Sequence, residues 1–161
     1  MTSEEYLVNI TGLVHVNINC SDYERSKAFY EMLGFKEYWL VPETNTPEVA
    51  NAVGMDSYRV KGSLMSLNDA ENRTVIDLLE WVTPRDNSQP YSNLYQPGLA
   101  RIAFSTKDID SDYDLLKKNG VEILSEPVKV TMSENSYSKF FCFKDPDGAF
   151  LELVQLFIEE Q

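Results

Sequence analysis

One stretch of this chain occurs twice, and that duplication limits its fold more than any other feature. Residues 12–20 run Gly12, Leu13, Val14, His15, Val16, Asn17, Ile18, Asn19, Cys20. Val14, Val16 and Ile18 alternate with His15, Asn17 and Asn19, the period of a strand with one apolar and one polar face. Residues 98–106 repeat the plan at an offset of 86, so that Gly12 meets Gly98, Leu13 meets Leu99 and Asp22 meets Asp108. The single histidine, His15, meets Arg101. A second match sets Asp77 in 75–81 on Glu152 in 150–156, at an offset of 75. The offset falls because the first half has the longer middle. Repeats of this kind stack half-structures to close a core.

Between the repeated strands the two halves share one order of elements. Ser21 or Asp22 caps a helix over 23–33, with Glu24 near its positive end and Gly34 as its stop. Ala28, Phe29, Met32 and Leu33 are the expected apolar stripe. Strands follow over 35–41, 58–67 and 74–82, the last two joined by a polar turn at 68–72. An insertion at 42–57 contains a short helix at 48–54 and reads as a lid or as a plain surface excursion. A proline-containing linker over 83–97 separates a first module, 7–82, from a second, 98–158. The second holds a helix over 108–119 with Tyr113, Leu115 and Leu116 inward, then strands over 121–124, 137–144 and 149–157. The turn Asp145-Pro146-Asp147-Gly148 precedes the last strand. Each half therefore reads β-α-β-β-β.

Composition restricts the partners. The 161 residues carry a net charge of −12, which repels phosphate backbones and argues against nucleic acid. No stretch has the length of a membrane span. The acidic residues 1–6 lack the apolar run of a signal peptide, so the expected location is the cytoplasm. Two cysteines, Cys20 and Cys142, match neither a disulfide framework nor a zinc motif and read as buried filler.

The ordered motifs resemble the vicinal oxygen chelate superfamily, which includes glyoxalase I, methylmalonyl-CoA epimerase, extradiol dioxygenases, and fosfomycin- and bleomycin-resistance proteins. The residues that carry the likeness are His15-Val16-Asn17-Ile18; Asp22 with Ser26 and Ala28-Phe29-Tyr30; and Leu33-Gly34-Phe35. In the second half they are Arg101-Ile102-Ala103-Phe104 with Asp108, Gly120-Val121, and Asp145-Pro146-Asp147-Gly148 into Leu151-Glu152-Leu153-Val154. The resemblance implies an α+β fold of two tandem βαβββ modules forming a curled mixed sheet around a cleft. It implies a homodimer and a small organic molecule as ligand. Family metal ligands lie on the first and last strand of each module, which carries them over to His15, Asp77, Arg101 and Glu152. The third of these is an arginine, which cannot ligate. Glyoxalase I chemistry itself would need a ligand there.

The residues themselves point to the same four positions. Asp77 stands among Val75, Ile76, Leu78 and Leu79, and Glu152 among Phe150, Leu151, Leu153 and Val154. A carboxylate in so apolar a strand needs a cation, hydrogen-bond donors or a proton. One reading is a metal site: His15, Asp77 and Glu152 hold Zn²⁺, Mn²⁺, Fe²⁺ or Ni²⁺ as a Lewis acid, and Arg101 clamps an anionic part of the substrate. Catalysis then rests on Glu152, His15 and Arg101, in a lyase, isomerase or dioxygenase type of reaction. Proton abstraction next to a carbonyl is the leading class. The other reading replaces the metal with the Arg101 guanidinium, giving a metal-free enzyme or a non-catalytic, drug-sequestering binder. A structural Arg101–Glu152 pair and a merely hydrogen-bonded His15 are the plain alternatives. Glu80, three residues beyond Asp77, faces the other way and is not a ligand. Parity puts Asn17, Asn19, Ala103, Ser105 and Leu79 on the inward face, and Tyr58, Phe141 and Phe143 are candidates for an apolar wall, making Arg101, Asn17, Ser105, Leu79, Tyr58 and Phe141 the expected substrate contacts.

Overall fold

The computed structural model describes residues 10–44, 46–68 and 73–158. The N-terminal residues 1–6 and most of the turn at 68–72 lie outside the described residues. Strand β1 (Val16–Cys20), helix α1 (Tyr23–Met32), β2 (Lys36–Leu40), helix α2 (Pro47–Ala52), β3 (Arg59–Ser66) and β4 (Val75–Thr83) come first. They are followed by β5 (Arg101–Ser105), α3 (Ile109–Lys118), β6 (Val128–Ser133), β7 (Ser136–Lys144) and β8 (Phe150–Ile158). The fold is α+β, with two tandem βαβββ modules and α2 inserted into the first. The chain resolves into two compact units: residues up to Tyr23 with Tyr30–Arg85, and Glu24–Phe29 with Asp86 onward.

Each unit holds one four-stranded mixed sheet, and the two have the same order: β1-β4-β3-β2 and β5-β8-β7-β6. The first strand of each is parallel to the last, and the other pairs are antiparallel. Asn17 pairs with Asp77, and Ala103 pairs with Glu152. Those pairs are related by 86 residues on one strand and 75 on the other, so both sequence offsets reappear as one register. Ile76 and Leu78 are buried on the core face of β4, as is Leu151 on β8. Removing such side chains from water is the main favourable term holding each unit together.

Several elements differ from the sequence reading, each for a local reason. The opening strand starts at Val16, not residue 12, because its parallel partner β4 begins only at Val75. Likewise β5 starts at Arg101, opposite Phe150 at the head of β8. The expected strand over 121–124 is reduced to a bridge from Ile123 to Phe143, with hydrogen bonds from Leu124 N to Cys142 O and from Lys144 N to Glu122 O. Pro127 has no amide hydrogen and interrupts that edge, and the ladder resumes as β6, which the sequence reading omitted. The alternation of Val128, Val130 and Met132 was the signal for it.

The helices bury other residues than expected. In α1 the buried positions are Tyr23, Ser26 and Tyr30, while Ala28 is exposed. Ser26 is buried because its hydroxyl meets Asp147 Oδ2 at 3.3 Å, beside an Arg25–Asp147 pair at 2.7 Å. In α3 the buried face is Ile109 and Leu116, with Tyr113 edge-on to Phe141, and Leu115 points to solvent. Gly34 and Gly120 follow α1 and α3 at φ +97° and +74°, the left-handed conformation that closes a helix.

Candidate functional site

The four singled-out side chains fall into two pairs, one in each unit. In the first, His15 immediately precedes β1 and Asp77 lies on β4, with His15 Nε2 at 4.0 Å from Asp77 Oδ2. That is too long for a hydrogen bond but close for charge. The Asp77 side chain is 18% exposed, and its Oδ1 is buried without a hydrogen-bond partner among the described residues. Burial raises the Asp77 pKa, and the nearby imidazole opposes that shift. Asn17 donates from Nδ2 to the Asp77 carbonyl at 2.9 Å, so its amide braces the two strands. Asn19 accepts from Trp81 Nε1 at 2.8 Å. Leu79 pairs with Asn19 and is half-buried on the same side of the sheet. Tyr58 packs on Trp81 with ring centroids 5.0 Å apart.

In the second unit Arg101 Nε donates to Glu152 Oε2 at 2.7 Å. Glu152 is 9% exposed, and the Cys142 thiol reaches the same oxygen at 3.7 Å. Burial raises the Cys142 pKa and the Glu152 charge adds to it, so the thiol stays protonated and donates. Ala103 and Ser105, the next residues on that face of β5, are exposed. Phe141, expected on a pocket wall, is instead fully buried in the core between Tyr113 and Phe143. Its strand position turns it toward α3, and Phe143 is buried on the same side. Glu80 stands on the core side of β4, where it accepts from Tyr23 N at 2.9 Å and from Arg85 Nη1 at 3.0 Å.

The donor chemistry differs between the pairs. His15 and Asp77 fit a divalent cation: an imidazole nitrogen lies beside a carboxylate with an unsatisfied buried oxygen. Glu152 has its oxygen occupied by a guanidinium and a thiol. Neither unit by itself gathers three His, Cys, Asp or Glu ligands among its described residues. Sequence reasoning did not foresee the Cys142 contact, although Cys142 is the register partner of Glu152.

The family model of the Glyoxalase/Bleomycin resistance protein/Dioxygenase superfamily matches residues 12–153. The chain is 32% identical over 148 residues to the uncharacterized protein YwkD of Bacillus subtilis (strain 168), covering 91% of this chain and 98% of that one. A glyoxalase family protein from Bacillus cereus superposes with a TM-score of 0.77 at 21% identity, over 94% of this chain and 99% of its own. A fosfomycin resistance protein from Listeria monocytogenes, solved with Mn(II) and sulfate, superposes with a TM-score of 0.59 at 17% identity, over 91% of this chain and 93% of its own. No helix among the described residues is long and apolar enough to cross a membrane. With both repeats in one register and the family model spanning both units, this chain belongs to the Glyoxalase/Bleomycin resistance protein/Dioxygenase superfamily.

Proposed function

We propose that the protein is a small-molecule enzyme that moves a proton at a carbon next to a carbonyl, with Asp77 and His15 as its acid–base pair. The observation that carries this reading is the state of Asp77. Its buried Oδ1 has no donor among the described residues, and burial raises the carboxyl's pKa, next to the only imidazole of the chain. A carboxyl held in that way gives up its proton less readily than an exposed aspartate does, which suits it to proton transfer. Glu152 is less suited to the role, because Arg101 already neutralises it.

Where a divalent ion is bound instead, His15 and Asp77 would hold it rather than carry the proton, and its chemistry would be polarisation of a carbonyl or enolate oxygen. The Listeria relative was solved with Mn(II), which supports a metal from the set Zn²⁺, Mn²⁺, Fe²⁺ or Ni²⁺. The same reading takes a cytoplasmic homodimer as the working form, by analogy with the superfamily. A second reading, non-catalytic ligand binding with Arg101 in place of a metal, is favoured by the tight Arg101–Glu152 bond.

The test is deuterium uptake in D₂O by a panel of 2-oxo acids, 2-hydroxy acids and hydroxyketones, followed by proton NMR. Wild-type protein is expected to exchange the α-hydrogen of at least one. Asp77→Asn should slow that exchange by about 10²-fold or more, the usual contribution of a positioned acid or base. Exchange by no compound, or equal exchange by Asp77→Asn, refutes the enzymatic reading. Elemental analysis of wild type, His15→Ala and Asp77→Asn tests the metal separately.

A further inference from the structure

We propose that the second unit binds a small monocarboxylate on the terminal edge of the Arg101 guanidinium. The side chain is held by its inner nitrogen: Nε donates to Glu152 Oε2 at 2.7 Å. Among the described residues neither Nη nitrogen makes a hydrogen bond, and 44% of the side chain is exposed. An arginine serving only to neutralise Glu152 would gain more from a paired-nitrogen contact with both carboxylate oxygens. The single bond fixes the guanidinium plane and leaves its outer edge for another planar anion.

Three features make this edge a site. Its anchor is rigid, since Glu152 is buried and receives the Cys142 thiol on the same oxygen. Space lies beside it, since Ala103 and Ser105 on β5 are small and exposed. The duplicated row on β1 carries the larger Asn17 and Asn19. Charge selects the ligand: the Arg101–Glu152 pair is locally near neutral, in a chain of net charge −12. A monoanion meets less repulsion there than a phosphate dianion does. This site uses none of the residues of the proposed acid–base pair, so each proposal can fail alone.

Calorimetric titration of the full chain with lactate and benzoate, with lactamide and benzamide, and with inorganic phosphate decides it. At least one carboxylate should bind 10-fold or more tightly than its amide. Arg101→Met paired with Glu152→Gln removes both charges, which guards against unfolding by an orphaned carboxylate, and should weaken carboxylate binding at least 10-fold. Carboxylate and amide binding alike, phosphate binding better than both carboxylates, or wild-type affinity in the double variant would each overturn the proposal. A melting curve of each variant confirms that it is folded.

Discussion

Glu80 and Gln155 do the same work in the two units. Glu80 Oε2 accepts from Tyr23 N at 2.9 Å, the first amide of α1, and Gln155 Oε1 accepts from Ile109 N at 3.0 Å, the first amide of α3. Arg85, bound to Glu80, donates to Ser21 O at 2.8 Å, while Gln155 uses its own amide to donate to Lys107 O at 2.7 Å. Apart from Arg85, every partner in one set maps on the other by 86 or 75 residues. One amide thus replaces a carboxylate and a guanidinium. In each case a strand side chain satisfies a helix amide that has no intrahelical partner.

Loss of either brace should destabilise the protein by about 1 kcal/mol, the usual cost of losing a helix cap. That corresponds to a melting-temperature fall of about 2–4 °C for a chain of this size. Arg85→Ala should show such a loss in wild type and a smaller one in Glu80→Gln, where the new amide can reach Ser21 O. Equal losses in both backgrounds would show that the two braces are not interchangeable.

Asp77 should make the protein less stable as pH rises. Burial raises its folded pKa, so between the ordinary aspartate value and the raised one the folded state binds more protons than the unfolded. The stability it contributes is complete below the unfolded pKa and is lost as pH rises through the folded one. Asp77→Asn removes that dependence. The melting-temperature difference, variant minus wild type, should therefore grow as pH rises above the ordinary aspartate value of about 3.9. A constant or shrinking difference would mean that Asp77 is not desolvated.

Arg101→Met should cost about 1–3 kcal/mol in urea unfolding, the penalty for leaving a buried polar group unsatisfied. The ion pair itself is partly exposed and contributes less. Combining Arg101→Met with Glu152→Gln should recover most of the loss, and the double-mutant cycle measures the coupling. Additive losses would indicate that the 2.7 Å contact carries no coupling.

Gly62 faces Leu79 across β3 and β4, and a Cβ there would lie 2.2 Å from Leu78 O and 2.7 Å from Leu79 Cδ2. Gly62→Ala should cost about 1–3 kcal/mol through overpacking. Gly12→Ala, where no atom lies within 4 Å of the added carbon, should leave the melting temperature unchanged.

The doubled βαβββ plan is legible in the order of residues alone. Alternation along β1 and β5, glycine stops at Gly34 and Gly120, and the offsets of 86 and 75 are local or periodic signals, set by backbone geometry whatever lies nearby. The sequence also placed a carboxylate in each of two apolar strands. How each charge is compensated depends on contacts made in the folded chain. Glu152 has Arg101 and the Cys142 thiol, whereas Asp77 has an imidazole 4.0 Å away and an oxygen with no partner among the described residues. Tertiary packing likewise sent Phe141 into the core, turned Ser26 inward to Asp147 and gave Glu80 a helix to hold. Periodicity tells which side of a strand a residue faces. What meets it there depends on elements distant in the chain, and desolvation and hydrogen bonding act only once those elements are in place.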